Sequence, residues 1–89
     1  MENYLKKAIK KPEFPENINL GKALELQRVL LGKEKQEVAV AAGISLSTYN
    51  NIEIGVTKSP TMRTLKSLSE ILDLDVMYLV SLIGSDGRR

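Results

Sequence analysis

The chain has 89 residues, enough for one domain built around one modest core. Hydrophobic residues make up 43% and charged residues 27%, the balance of a soluble globular domain, with a formal net charge of +2. Cysteine and histidine are both absent, which excludes disulfides, thiolate and imidazole metal sites, thiol catalysis and the usual neutral-pH general base, so an enzyme is not expected.

In chain order, the first feature is an N-terminal arm over residues 1–18, with Lys6, Lys7, Lys10 and Lys11 set among Glu2, Glu13 and Glu16. Pro12 and Pro15 forbid a continuous helix through it. Before them, Asn3 can cap one short helix carrying Leu5, Ala8 and Ile9 on one side. These residues and Phe14 can pack on the domain or bind another protein. The start of the chain lacks the long apolar stretch of a secretory signal. No apolar run approaches the roughly 20 residues that span a bilayer. The expectation is a soluble cytoplasmic protein with no membrane partner.

Residues 19–83 read as the domain. Asn19 is a cap, and Leu20, Ala23, Leu24, Gln27 and Leu31 follow helical spacing up to Gly32. A second helix is predicted over about 34–42, with Val38, Ala39 and Ala42 inward and Gly43 as its stop. Ser45 caps a third helix that runs through Tyr49, Ile52 and Glu53 to Gly55. After a polar stretch, Pro60 is placed in the first turn of a fourth helix, where its missing N–H costs nothing. Met62, Leu65, Leu68 and Leu72 recur at helical spacing, and Asp73 marks the end. A last short helix holds Val76, Tyr78, Leu79, Leu82 and Ile83, and residues 84–89 read as a flexible tail. No strand alternation appears. The fold class is all-α: a compact bundle of five short helices around a central helix-turn-helix, with room for one more short helix in the arm.

The informative stretch is KQEVAVAAGISLSTYNNIEIG, residues 35–55. Two short helices meet at a tight turn. Ala39 lets their backbones cross closely, Gly43 accepts a positive φ, and Ile44 plugs the corner. Ile52 then faces inward, which leaves Leu46, Ser47, Asn50 and Asn51 outward. A solvated helix surface has the same look. Short polar groups there also suit base edges, since asparagine can bond adenine at two points and a small apolar group can touch a thymine methyl.

These residues resemble the Cro/phage-repressor helix-turn-helix domain, the XRE type, over about residues 20–80. Ala39, Gly43 and Ile44 occupy that family's alanine, glycine and aliphatic positions. Gly55 follows Glu53 by two residues, Pro60 begins helix 4, and Leu72, Leu74 and Val76 match its closing aliphatic stretch. Several matches at fixed spacing are more specific than any one of them. The family pattern departs at Lys33, Glu34 and Lys35, where an apolar residue, a small cap and a glutamine are usual, with Gln36 one place late. The third helix carries neither arginine nor lysine, and Ile54 stands at an often polar position.

The resemblance implies a lambda-repressor-like fold. It implies an ion pair of Arg28 with Glu53, structural in role, setting the first helix against the third. It also implies base contacts from Ser45, Leu46, Ser47, Asn50 and Asn51. Lys33, Lys35, Gln36, Thr48, Lys58 and Arg63 flank that face and are expected at phosphates. The implied protein is a sequence-specific transcriptional regulator that binds double-stranded DNA as a homodimer and represses by operator occupancy. No cofactor is implied. Leu79, Leu82 and Ile83 form the expected dimer seam, favoured over a second candidate in the arm at Leu5, Ala8 and Ile9, which must lose more entropy to dock. The rival expectation is a protein-interaction module, antitoxin-like or a phage accessory protein, with the proline-broken arm engaging a protein partner.

Overall fold

The computed structural model describes residues 14–15 and 17–86. Its described residues form five helices: α1 (Leu20–Leu30), α2 (Lys35–Ala42), α3 (Leu46–Glu53), α4 (Met62–Ile71) and α5 (Val76–Asp86). The expected short helix around Leu5, Ala8 and Ile9 lies outside the described residues.

Each helix start has a local cause. The Asn19 side chain accepts from the Lys22 amide at 2.8 Å and opens α1. At α2 the first-turn Glu37 reaches back and accepts from the Glu34 amide at 3.1 Å. That bond is half of a capping box, so Glu34 starts the helix even though it replaces the small cap usual in the family. Ser45 opens α3 by accepting from the Thr48 amide at 3.0 Å. Thr61, not Pro60, opens α4, accepting from the Thr64 amide at 3.2 Å. Pro60 therefore stands one residue before the cap, which corrects its placement in the first turn. The turn between α2 and α3 is made by Gly43 at φ 75°, and the Ile44 amide returns to the Ala39 carbonyl at 3.0 Å.

The core is built from the inner faces of all five helices. Leu24, Val38, Tyr49, Ile52, Leu65, Leu68, Leu72 and Leu79 are its largest fully buried side chains. The helices α1 and α2 both pack on α3, α4 packs on α2 and α5, and α5 closes back onto α1. Gln27, read from its spacing as part of an apolar face, is indeed buried. Its Nε2 donates to the Leu72 carbonyl at 2.9 Å and ties α1 to the end of α4. Leu31 sits past the end of α1 and is exposed, so it is not part of that face.

Two further expectations change at the edges of the domain. Phe14 and Ile18, counted with the arm, belong to the packed unit. Ile18 is in the core, and the Phe14 ring lies 6.3 Å from that of Tyr78. The last helix runs to Asp86, so residues 84–86 are helical rather than tail. Glycine at position 84 weakens a helix by about 1 kcal/mol relative to alanine but does not forbid it.

Candidate nucleic-acid interface

The site is organised around one buried carboxylate. Glu53 ends α3 with a side chain only 3% exposed. Arg28 of α1 donates to it through Nε at 2.6 Å and through Nη2 at 3.3 Å. The Arg28 Nη1 donates to the Lys33 carbonyl at 3.0 Å, so the same guanidinium also pins the loop into α2. A planar fork of donors satisfies a carboxylate and a carbonyl together, which a lysine could not do with the same rigidity. The Tyr49 hydroxyl, one turn before Glu53, donates to the same carboxylate. Burial, and then its bond to Glu53, push the Tyr49 hydroxyl far above the ordinary tyrosine range, while Glu53 holds Arg28 above its own.

This network fixes how α3 presents its other side. Leu46, Ser47 and Thr48 are exposed, and Asn50 and Asn51 are half-buried on the rim. Ser47, Asn50 and Asn51 fall at spacings of three and four and so share one face. Ser45 and Thr48 are engaged locally. The Ser45 hydroxyl caps the helix and donates to the Thr48 hydroxyl at 2.8 Å. Their contribution to a partner therefore starts from an occupied hydroxyl pair.

The flanking residues separate into two groups. Gln36, Lys58 and Arg63 are exposed and Lys33 is half-buried. Lys35 behaves differently. It is 38% exposed at the side chain, but its Nζ turns inward, donating to Asn50 Oδ1 at 2.6 Å and lying 4.0 Å from Glu53 Oε1. Beside this pair, Val29, Lys33, Gln36 and Leu46 line an open groove of about 600 Å³ between the end of α1 and the starts of α2 and α3.

The expected dimer seam does not survive in full. Leu79 is completely buried and Leu82 nearly so, both inside the core of this chain. Helical spacing identified an apolar face on α5, but α1 and α4 already cover it. Only Ile83 of the three remains half-buried.

A family model described as helix-turn-helix matches residues 24–79, well over half of the chain. The chain belongs to the XRE-type helix-turn-helix family. Membership makes it a DNA-binding transcription regulator. Two solved structures show the same arrangement. The N-terminal DNA-binding domain of SinR from Bacillus subtilis is 28% identical, with a TM-score of 0.65 over 68% of this chain and 88% of that one. A crystal structure of SinR, the master regulator for biofilm formation, in complex with DNA gives 28% identity and a TM-score of 0.64, over 68% of this chain and 97% of that one. Among curated proteins, no sequence matches. Within the family frame, the Arg28–Glu53 pair stands as expected, and the Tyr49 hydroxyl and the inward Lys35 are additions that spacing did not reveal. A buried tyrosine four residues before a glutamate was the available signal for the first.

Proposed function

We propose that this protein is a sequence-specific repressor that acts by occupying an operator. The observation that carries the reading is the polar face of α3, with Ser47, Asn50 and Asn51 side by side, held rigidly from behind by the buried Glu53 network. A reading helix must keep its side chains in fixed register with the base edges, and a helix pinned at its last turn does so. The neighbouring SinR structure in complex with DNA supports the same use of the fold.

In this reading α3 lies in the major groove. Ser47 and Asn51 bond base edges, and Leu46 meets a thymine methyl. Ser45 contributes at the first base step. Lys33, Gln36, Thr48, Lys58 and Arg63 grip phosphates on either side, fixing register without reading sequence. Two copies cover two half-sites about one helical turn apart, and the transcription machinery is excluded by occupancy.

Selection from random double-stranded DNA with the purified protein tests the reading. The expected result is enrichment of a two-fold symmetric site, with affinity falling as salt rises by a log–log slope of about −0.9 per phosphate neutralised. A protein that enriches no sequence, shows no DNA affinity at any salt and co-purifies with a protein partner overturns it in favour of an interaction module.

A further inference from the structure

We infer that Lys35 is a positioning residue for base reading: it holds Asn50 within a head made of hydrogen-bond donors, and that head selects a guanine edge. The inference rests on the DNA-reading function proposed above. Lysine carries an ammonium with three donors and no acceptor, so the Asn50 atom facing it at 2.6 Å is the amide oxygen. That contact fixes which way the amide is turned. The Nδ2 group, with its two protons, occupies the other arm of the amide.

The lysine is itself anchored. Its Nζ lies 4.0 Å from Glu53 Oε1, and Asn50 stands three residues before Glu53, at the edge between the buried side of α3 and its outward face. Arg28 and Tyr49 hold the carboxylate in place. The chain of contacts therefore runs from the buried scaffold through the ammonium to the reading amide. The ammonium, placed on Asn50 and Glu53, is drawn away from the role of a phosphate grip.

Asn50 is half-buried on the rim of α3, and the chemistry of its other arm follows. Asn50 Nδ2 and the remaining ammonium protons are all donors. Guanine offers two acceptors in the major groove, N7 and O6. Adenine sets an amino group beside its N7, and cytosine presents an amino donor. A donor head beside a positive charge matches guanine and opposes the amino groups. An asparagine without this tether is free to turn its oxygen to the adenine amino group and its nitrogen to N7, the two-point adenine contact. Removing the ammonium is therefore expected to move preference from guanine toward adenine.

The test compares wild type, Lys35→Met, Lys35→Arg, Asn50→Ala and the Lys35→Met/Asn50→Ala double variant on the selected operator and on operators with each base replaced. Melting temperatures are measured in parallel. Wild type is expected to prefer guanine over adenine at one position of each half-site by about tenfold or more. Lys35→Met is expected to lose that preference, Lys35→Arg to retain it, and the double variant to discriminate no worse than Asn50→Ala. A Lys35→Met protein that weakens on every sequence alike, with a salt slope lower by about 0.9, makes Lys35 a phosphate contact and overturns the inference. So does a selected operator with no guanine that depends on Asn50, even if Lys35→Met does not fold. Wild type enriching no sequence at all instead overturns the DNA-reading function on which the inference stands.

Discussion

Glu53 is the residue whose removal has the widest effect. Truncation to alanine leaves Arg28, itself only 11% exposed at the side chain, without its carboxylate, and leaves the buried Tyr49 hydroxyl without its acceptor. Breaking one partner of a buried ion pair costs about 3–5 kcal/mol. Glu53→Ala is expected to lower stability by that amount in denaturant titration of the free protein; an unchanged unfolding midpoint contradicts it. Tyr49 supplies a pH test. Its folded-state value is raised above the unfolded value of 10.0, so its contribution is intact below pH 10. Above pH 10 the unfolded tyrosine ionises while the folded one cannot, and stability falls. The stability gap between wild type and Tyr49→Phe is expected to shrink as pH rises from 10 to 11, measured by chemical denaturation at each pH. Asn51 tests reading at the same scale. Asn51→Ala keeps the charge, so it is expected to lose about 1–3 kcal/mol on the selected operator and nearly nothing on random DNA. Equal losses on both DNAs in titration remove Asn51 from the base-reading set. The Arg28–Glu53 pair was legible in the sequence because the family resemblance specifies both positions. The Lys35–Asn50 bond was not, because it joins residues fifteen apart in sequence on two different helices.

The helices show where local pattern suffices and where it stops. Asn19 and Ser45 were readable as caps because a short polar side chain before an apolar-periodic run has one obvious use. Glu34 was not, since its cap depends on Glu37 folding back onto it. The crossing of α1 with α3 was also hidden. A Cβ added at Gly21 would lie 2.6 Å from the Ile52 carbonyl oxygen and closer still to that of Glu53. The two backbones touch there, and the glycine reads in sequence only as a weak point in a helix. Gly21→Ala gains about 1 kcal/mol in helix propensity, but forcing α1 off α3 costs about 1–3 kcal/mol, and the obstacle is backbone that cannot step aside. Net destabilisation is expected in thermal melts. Because α3 shifts with the crossing, the loss of operator affinity should exceed the loss on random DNA. A Gly21→Ala protein that melts higher than wild type contradicts this account of the crossing.

At the scale of the whole molecule, the question is how a single small domain defines a genomic site. One reading helix contacts only a few base pairs, and two-fold pairing is the usual remedy. Periodicity marked α5 as the seam but could not tell which of its apolar residues the core would consume. Leu79 and Leu82 point inward, and what α5 still offers outward is Met77, 63% exposed, with half-buried Val80 and Ile83 at successive turns beyond it. If the proposed homodimer pairs through this helix, its seam is expected along Met77, Val80 and Ile83. Ile83→Asp is a poor probe, because Ile83 also packs against the core. Met77→Glu is a better one: it places a charge at the most exposed end of the seam and removes little from the fold. Its melting temperature is expected to stay within about 4 °C of wild type, since exposed substitutions away from special features fall within about 0.5 kcal/mol. Its binding to a two-half-site operator is expected to lose cooperativity, with single half-site affinity retained. Sedimentation with each DNA separates these outcomes. A Met77→Glu protein that still loads two copies onto the full operator cooperatively moves the seam off α5, and the exposed stripe of Leu26, Val29 and Leu30 on α1 becomes the surface to test.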